Sequence, residues 1–352
     1  MINFNNIIKE PLTIFEALKK MDNIKRKILF FTDENNNFLG LISLGDIQRS
    51  IIKNFPLDTP VKNIFRKKEH ITFATSHQSF EDIKNIMIQN RVEAMPVLND
   101  DGILEKIIFW EDIIPEKELK NFNKLNLPVV IMAGGFGTRL KPLTNVIPKA
   151  LIPLGGKTIL EEIMDNFLKF SCDKFYISVN YKSDLIQYYF NTQTKAKYDI
   201  YFFKELNPLG TAGGLSLLKG VIDKTFFVSN CDILIKDDYS KIYDYHKDNK
   251  NELTIVAALK SFKIPYGTIS AGENGILQSI DEKPEITFKI NTGLYILEPH
   301  LIDEIPYKKF FHITELINKL NNEKRRVGVF PISEGAWLDI GNWKEYLEQI
   351  KF

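Results

Sequence analysis

One stretch limits the folds open to this chain more than any other, residues 129–151, which read VVIMAGGFGTRLKPLTNVIPKAL. Its apolar start predicts a buried strand, and its glycines predict a tight turn whose main-chain N–H groups can approach an anion. Arg139 and Lys149 add two cations to the same segment. The segment therefore predicts a polyphosphate-binding site at the end of a strand. Its candidate nucleotide-binding residues are Gly134, Gly135, Gly137 and Thr138.

Two common phosphate loops fit this chain less well. The dinucleotide fingerprint needs a third glycine and an acidic residue about 20 residues later. Gly156-Lys157-Thr158 has the form of the end of a P-loop, but Leu151 stands where that motif needs glycine. Neither motif accounts for the glycine turn.

The remainder of the chain after residue 128 alternates between predicted strands and helices. Strands are predicted at 175–180, 226–230 and 253–259, with helices at 185–190 and 213–219. This alternation predicts an α/β domain over residues 128–352, with a Rossmann-like, mixed but mostly parallel sheet. Ligands of such sheets bind at the carboxyl ends of the strands. Residues 114–126 are polar and predict a linker before this domain.

Residues 1–120 contain an internal repeat. TIFEALKKM at 13–21 and SFEDIKNIM at 79–87 are each followed by two strand-like runs around a polar turn and then by a second helix. One copy is too small to bury its own apolar face, so the two copies are expected to pack together as a small α+β domain.

The composition excludes several functional classes. A net charge of +1 over 352 residues does not favour a nucleic-acid surface, so a small ligand is the expected partner. The N-terminus lacks the basic and apolar segments of a secretory signal, which predicts a cytoplasmic protein. Cys172 and Cys231 lack metal-type spacing, so buried thiols are favoured over a disulfide or a zinc site.

Two aspartates are candidate ligands for Mg²⁺. Asp232 directly follows the predicted strand 226–230, and Asp339 lies in the run Trp-Leu-Asp-Ile-Gly at 337–341. Carboxylates and phosphate oxygens are the ligands that Mg²⁺ prefers. Either aspartate alone could instead stabilise a turn.

The glycine segment, with its Thr-Arg-Leu and Pro-Lys, resembles the motif of the sugar-1-phosphate nucleotidyltransferases. The resemblance implies that a nucleoside triphosphate and a sugar 1-phosphate react to give a nucleotide sugar and pyrophosphate, with Arg139, Lys149 and Asp232 as catalytic residues. It also implies that a second glycine turn, PLGTAGG at 208–214, contacts the base and ribose through Gly210, Thr211 and Gly213. The residues that it implies for sugar binding are Tyr266, Gly267, Glu282, Lys283, Asn291 and Thr292.

The repeat at 1–120 resembles a tandem CBS module, which implies an adenine nucleotide as a possible ligand. The first copy has Gly40, Ser43 and Asp46 in the family's G-x-x-S/T-x-x-D pattern. In the second copy, Glu105 and Ile108 are taken to replace the glycine and the hydroxyl residue, which leaves Asp112. The alternative is that Asp46 and Asp112 are only helix N-caps.

A CBS pair ahead of a transferase domain resembles the glucosamine-1-phosphate guanylyltransferases of legionaminic acid synthesis, over essentially the full chain. That resemblance implies GTP and glucosamine 1-phosphate as substrates and GDP-glucosamine as the product, for a surface or flagellar glycan. A uridylyltransferase, or a mannose- or heptose-1-phosphate guanylyltransferase, stays open. So do a nucleotide-sensing protein with an inactive transferase domain and a CBS pair that serves only to assemble a homo-oligomer.

Overall fold

The computed structural model describes residues 4–90, 92–113, 123–193, 197–341 and 343–349. The chain divides into two compact units, residues 1–121 and 122–352. The predicted linker at 114–126 lies largely outside the described residues. In the described ranges, no helix is long and apolar enough to cross a membrane.

The first unit contains two copies of one small α+β motif. Its elements are β1 (Ile7–Ile8), α1 (Ile14–Ile24), β2 (Ile28–Thr32), β3 (Phe38–Ser43), α2 (Leu44–Ile52), β4 (Arg66–Lys67), β5 (Ala74–Thr75), α3 (Phe80–Asn90), β6 (Ala94–Leu98), β7 (Leu104–Phe109) and α4 (Trp110–Ile113). One sheet has the order β1-β2-β3-β4 and the other the order β5-β6-β7. In each sheet the two longest strands form an antiparallel hairpin.

The two copies share one apolar core. Phe30, Phe38 and Leu41 from the first copy pack with Leu98 and Leu104 from the second, and all five are buried. The hairpin turns also meet, since Phe38 N donates to Gly102 O at 3.1 Å and Leu104 N donates to Asn36 O at 3.0 Å. The predicted packing of the two copies against each other is confirmed.

The second unit follows the predicted alternation of strands and helices. Its elements are β8 (Val129–Met132), β9 (Pro153–Leu154), β10 (Lys157–Thr158), α5 (Ile159–Leu168), β11 (Lys174–Val179), α6 (Ser183–Gln193), β12 (Asp199–Lys204), β13 (Phe226–Asn230), β14 (Ile233–Ile235), α7 (Tyr239–Asp248), β15 (Leu253–Lys263), β16 (Thr268–Ala271), β17 (Leu277–Asp281), β18 (Glu285–Leu297), α8 (Ile313–Asn322), β19 (Val327–Ser333), β20 (Trp337–Asp339) and α9 (Trp343–Gln349).

Seven of these strands form one mixed sheet in the order β12-β11-β8-β13-β18-β15-β19. Strands β12, β11, β8 and β13 are mutually parallel, β18 is antiparallel to both β13 and β15, and β19 is parallel to β15. The predicted mixed, mostly parallel α/β sheet is confirmed. The carboxyl ends of β8, β11, β12 and β13 therefore meet at one edge, where the glycine turns begin.

Both faces of the sheet are covered, because successive side chains of a strand point to opposite faces. On β13, Phe226 and Val228 pack into a core that includes Leu316 of α8. The intervening Phe227 faces the other way, where its ring lies 5.3 Å from that of Phe167 on α5. Thr158 and Glu161 form a capping box at the start of α5, which fixes where that helix begins.

The predicted helix at 213–219 is instead a 3₁₀-helix, Gly213–Leu218. Glycine stabilises an α-helix poorly. Its first residues are also held from outside, since Ala212 N and Gly213 N both donate to Phe311 O at 3.0 Å.

An ion-pair network joins the ends of β15 and α8. Arg325 Nε donates to both carboxylate oxygens of Glu252, at 3.0 and 3.1 Å, and Arg325 also pairs with Glu304. His300 Nε2 lies 2.7 Å from Glu252. Chiefly because Arg325 hydrogen-bonds to it, the pKa of Glu252 is lowered to about 2.

The network is expected to make stability depend on pH. A carboxyl group with a depressed folded-state pKa stabilises the fold above its unfolded pKa and loses that contribution as the pH falls through the folded pKa. We expect Arg325→Met to lower the free energy of unfolding by about 1–2 kcal/mol at pH 7. The difference in the free energy of unfolding between the variant and wild type should shrink as the pH falls from about 5 towards 2. Urea titrations at a series of pH values measure it.

Arg326→Met is the matched control, because the exposed side chain of Arg326 donates to a neutral acceptor, Asn249 O, at 2.7 Å. Arg326→Met is expected to change the free energy of unfolding only slightly, and by the same amount at every pH. A deficit for Arg325→Met that stays constant from pH 7 to pH 3 would show that the network does not control acid stability.

Candidate functional site

The first glycine turn leaves the carboxyl end of β8 and has one glycine that the fold itself requires. Gly137 has φ +64°, and a Cβ there would lie 2.8 Å from Thr144 Cγ2. Thr144 Oγ1 donates to Gly137 O at 2.9 Å, which fixes the turn. Gly135 is exposed and a Cβ there would meet nothing within 4 Å. Internal packing does not explain that glycine, whereas the approach of a ligand would.

The two predicted cations of the segment converge on Asp232. Lys149 Nζ donates to Asp232 Oδ2, and Arg139 Nη2 donates to the same oxygen at 3.3 Å. The Lys149 side chain is only 10% exposed, whereas that of Arg139 is 61% exposed. The guanidinium therefore stays accessible to an incoming anion, while the ammonium is held in place.

A two-stranded sheet brings the second predicted aspartate to the same place. Strands β14 and β20 are antiparallel with Ile233 opposite Asp339, and Ile340 N donates to Asp232 O at 2.7 Å. A Cβ on Gly341 would lie 2.6 Å from Asp339 Oδ1, 2.9 Å from Arg139 Nη2 and 3.0 Å from Asp232 Oδ2. Both carboxylates and the guanidinium therefore border one small space beside Gly341.

This donor set suits a hard divalent cation such as Mg²⁺. Two carboxylate oxygens that leave most coordination positions to water and phosphate are typical of a magnesium site. Within the described ranges, no group of three or more histidine, cysteine, aspartate or glutamate side chains could hold a metal ion.

Gly341 yields a direct test of this arrangement. We expect Gly341→Ala to lower the rate of pyrophosphate release about a hundredfold. The new methyl group would displace at least one of the three side chains beside it, those of Asp339, Arg139 and Asp232. The melting temperature should change little, since the exposed Arg139 side chain can move aside. Gly156→Ala is the matched control, because a Cβ there would meet nothing within 4 Å. Equal turnover by the two variants would show that the space beside Gly341 is not used.

The second glycine turn packs against another part of the chain. A Cβ on Gly210 would lie 2.7 Å from Phe311 O, and one on Gly213 would lie 2.4 Å from Lys309 O. Thr211 Oγ1 accepts a hydrogen bond from Ile313 N at 3.0 Å and so holds the first turn of α8. The absence of side chains at 210 and 213 thus has a packing explanation, which the sequence alone did not indicate.

The residues predicted for sugar binding fall into two groups on the β15–β18 ribbon. Gly293, next to Asn291 and Thr292, has φ +87°, and a Cβ there would lie 2.4 Å from Asn230 Nδ2 at the end of β13. Asn291 therefore lies near the Asp232 end of the sheet. Thr292 is buried and its Oγ1 donates to Val256 O at 2.8 Å, so its hydroxyl is engaged inside the fold.

The other group lies beyond the start of β18. Strand β18 pairs with β15 from Asn291 out to Glu285, a distance of about 20 Å, and Glu282 and Lys283 lie beyond that end of the strand. A Cβ on Gly267 would lie 3.0 Å from Glu282 Oε2, and Tyr266 beside it is exposed. Lys283 has φ +49°, a strained conformation of the kind found at ligand sites.

Comparison with known proteins agrees with this geometry. A family model described as "Nucleotidyl transferase" matches residues 128–352. The chain belongs to the nucleotidyl transferase family. The model of the CBS domain matches residues 7–53 and 61–117, so the first unit holds the CBS domains.

Several curated relatives of this nucleotidyl transferase are guanylyltransferases. Mannose-1-phosphate guanylyltransferase catalytic subunit beta of Drosophila melanogaster is 30% identical over 224 residues, which cover 62% of this chain and 60% of the relative. Mannose-1-phosphate guanyltransferase of Saccharomyces cerevisiae is 32% identical over 231 residues, covering 62% of each chain. The chain thus spans about 60% of the length of these relatives.

A solved structure has the same fold. HddC from Yersinia pseudotuberculosis, determined in a complex with GMP-PN, is 28% identical with a TM-score of 0.50, and the match covers 63% of this chain and 97% of HddC.

In the CBS domains, the polar residues of the predicted pattern bond to one another. Ser43 and Asp46 form the capping box of α2, and Asp46 also pairs with Arg49 and Arg66. These hydrogen bonds and charges hold the pKa of Asp46 below its ordinary value in spite of burial, which acts to raise it. A Cβ on Gly40 would lie 2.3 Å from both Arg66 O and the Phe65 ring. Asp46 therefore stabilises the start of α2 as its N3 residue, while Ser43 is the N-cap.

The second copy needs one correction. Ser43 ends β3 and Phe109 ends β7, each directly before a helix, so the equivalents of Gly40 and Ser43 are Lys106 and Phe109. The expectation of Glu105 and Ile108 is wrong by one residue, because it ignored the strand ends. Asp112 keeps its place, but it is the third residue of α4 and accepts a hydrogen bond from Phe109 N at 2.8 Å, as the N3 residue of a capping box does.

A cavity of about 630 Å³ lies elsewhere in the CBS domains. It is lined from the first copy by Ile7, Ile8 and Thr32, and from the second by Leu104 and Glu105, with Lys9 and Lys20 also on its wall. Thr32 is 2% exposed, and its buried Oγ1 has no hydrogen-bond partner in the described part of the chain. That oxygen is inaccessible to solvent, so it is the rest of Thr32, and not its hydroxyl, that borders the cavity.

Sequence reasoning missed two residues that the geometry singles out. Gly341 was visible only as the end of the Trp-Leu-Asp-Ile-Gly run, although its lack of a side chain leaves room for both carboxylates. Glu205, buried directly after β12, places a carboxyl group between the two glycine turns. The available signal was a strand-like run, DIYFFK at 199–204, followed directly by an acidic residue a few positions before a glycine turn.

Proposed function

We propose that this nucleotidyl transferase moves a guanylyl group from GTP to a sugar 1-phosphate and releases pyrophosphate. The observation that carries the proposal is the convergence of Arg139 and Lys149 on Asp232, beside Asp339 and the open turn at Gly135. A triphosphate needs such a set of cations, main-chain donors and metal-binding carboxylates.

In the proposed reaction an oxygen of the sugar phosphate attacks the α-phosphorus of GTP in line. The new bond joins that oxygen to the α-phosphorus, the bond from the α-phosphorus to the β-bridging oxygen breaks, and pyrophosphate leaves with the electron pair. Arg139 and Lys149 stabilise the charge that grows on the leaving group. The catalysis is mainly positioning and electrostatic stabilisation, as is usual for phosphoryl-group chemistry.

Asp232 and Asp339 would hold Mg²⁺. When bound, Mg²⁺ would neutralise phosphate oxygens and so lower the charge that the attacking oxygen must approach. In the structure, Lys149 and Arg139 both pair with Asp232. Binding of the metal nucleotide would therefore exchange these ion pairs for contacts with phosphate.

Guanine is the proposed base because the named relatives are guanylyltransferases and HddC was determined with GMP-PN. Uracil is the alternative base. For the sugar, the arrangement of CBS domains ahead of a transferase favours glucosamine 1-phosphate, with GDP-glucosamine as a precursor of a legionaminic acid-type glycan. The names of the relatives favour mannose 1-phosphate instead.

The test is pyrophosphate release from each of the four NTPs with glucosamine, mannose, heptose and glucose 1-phosphates, with Mg²⁺ and with EDTA. We expect release with GTP, the highest kcat/KM with glucosamine 1-phosphate, and none with EDTA. Release with UTP but not GTP would reject the guanylyl assignment. Release with no pair would favour the second functional class, a nucleotide-sensing protein with an inactive transferase domain.

We also propose that the CBS cavity binds an adenine nucleotide. The apolar wall formed by Ile8 and Leu104 suits the base, and Lys9 and Lys20 suit phosphate. Calorimetry on the full chain, with GTP present to occupy the transferase site, should detect AMP or ATP binding that Lys20→Met weakens. If neither nucleotide binds, the CBS pair would serve assembly instead.

A further inference from the structure

Glu205 is a buried carboxylate at the carboxyl end of β12. It is 3% exposed, and among the residues that the structure describes it has no ion pair within 4.0 Å. Ser178 Oγ donates to its Oε1, and Leu209 N donates to its Oε2 at 3.0 Å. Burying a charge without a cation is costly, so a residue of this kind calls for an explanation.

The carboxylate lies between the two glycine turns. A Cβ on Gly134, in the first turn, would lie 3.3 Å from Glu205 Oε1, and a Cβ on Gly214, after the second turn, would lie 2.5 Å from it. Leu209, which donates to the other oxygen, is the residue before Gly210 in the second turn. One side chain therefore touches both turns.

The main chain of Glu205 is held as firmly as its side chain. Its N–H donates to Val179 O at 2.9 Å, and its carbonyl accepts from Asn180 Nδ2 at 2.6 Å. Both partners lie at the end of β11, the strand next to β8 in the sheet. Glu205 is thus anchored to the rigid edge of the sheet, and the second turn is anchored to Glu205.

We infer that Glu205 is a positioning residue for the nucleotide: it holds the second glycine turn at a fixed place relative to the first. The inference rests on the proposed function, together with the expectation from the family resemblance that the first turn binds the triphosphate and the second binds the base and ribose. Two loops that bind one ligand must keep their separation to within a fraction of an ångström. The sugar 1-phosphate does not depend on this separation.

The proposed role depends on the hydrogen bonds that the Glu205 side chain makes and not on its charge. Glutamine can accept from Leu209 N through Oε1 and donate to the Ser178 hydroxyl through its amide, so it can keep both contacts. Alanine loses both. A positioning role therefore requires Glu205→Gln to retain function and Glu205→Ala to lose it.

The experiment measures the KM of GTP, the KM of the sugar 1-phosphate and the dissociation constant of GTP alone for wild type and four variants. Glu205→Ala is expected to raise the KM and the dissociation constant of GTP at least tenfold, with the KM of the sugar 1-phosphate within twofold of wild type. Glu205→Gln should stay within threefold on every constant, and Ser178→Ala should fall between the two. Gly214→Ala keeps Glu205 but pushes its carboxylate aside, and it carries the same expectation as Glu205→Ala.

Two results would overturn the inference. If Glu205→Ala and Gly214→Ala both bind GTP within twofold of wild type, Glu205 does not position the nucleotide. If Glu205→Gln loses GTP binding as fully as Glu205→Ala, the charge acts on the ligand and positioning is the wrong role. Failure of wild type to bind GTP or to release pyrophosphate with any sugar 1-phosphate would instead reject the proposed function, before any variant is compared.

Discussion

Replacing Asp232 with asparagine is expected to lower kcat/KM by a thousandfold or more, about 4 kcal/mol of barrier. The asparagine keeps the size of the side chain, so the packing of β14 against β20 should survive. It removes the negative charge that pairs with both Lys149 and Arg139, and with it one of the two carboxylates proposed for Mg²⁺. No nearby side chain replaces that charge at the same oxygen position.

The measurement is steady-state pyrophosphate release across a range of Mg²⁺ concentrations. The control is Asp165→Asn, because Asp165 also pairs with two lysines, Lys157 and Lys197, and is nearly as buried. Both variants should fold, but Asp165→Asn should keep wild-type turnover. Equal rates for Asp232→Asn and wild type would reject the assignment of the catalytic site.

Replacing Lys149 with methionine is expected to lower kcat by about a hundredfold to a thousandfold, the range seen when one donor to a developing oxyanion is removed. Methionine keeps most of the stem length but has neither charge nor donors. Lys149 is the buried cation of the pair, so solvent screens its charge less than that of Arg139. The loss should therefore exceed that of Arg139→Ala.

Lys157→Met is the matched control for Lys149→Met, since Lys157 also pairs with one aspartate, at 2.7 Å. Its rate should match wild type. If Lys149→Met had a raised KM for GTP but an unchanged kcat, Lys149 would serve binding alone and would have no part in stabilising the leaving group.

The first glycine turn shows how much of the site was visible in the sequence. An apolar run predicts a buried strand, and glycines after it predict a turn with φ > 0, which Gly137 adopts. The same logic placed Asp232 at the end of β13. These inferences depend on residues close together in the chain, where turn chemistry and side-chain period act directly.

The second glycine turn shows where that reasoning fails. The sequence predicted the start of an α-helix there, but Gly210 and Gly213 pack against the backbone at 309–311 and a 3₁₀-helix follows. The hydroxyl of Thr211 accepts a hydrogen bond from the first residue of α8. The segment 309–311 lies about a hundred residues later in the chain, so the residues of the turn could not predict this contact.

In the CBS domains, too, the sequence motif did not indicate where the cavity lies. The residue pattern at Gly40, Ser43 and Asp46 predicted a ligand site, yet Arg66 and Phe65 occupy the neighbouring space. The cavity lies instead beside Thr32, a residue that no motif had marked. A motif records residue types, whereas a cavity depends on what the remaining chain leaves unfilled.

The sequence by itself determined the strands and turns, the two repeated copies and the kinds of side chain that end each strand, because periodicity and turn preferences act over a few residues. Only the tertiary structure decided which of these side chains meet. The pairing of β14 with β20 brings Asp339 beside Asp232, and Lys149 reaches Asp232 across 83 residues of chain. Such contacts follow from the packing of the whole sheet and its layers, since the cost of closing long loops is recovered only when the complete core forms.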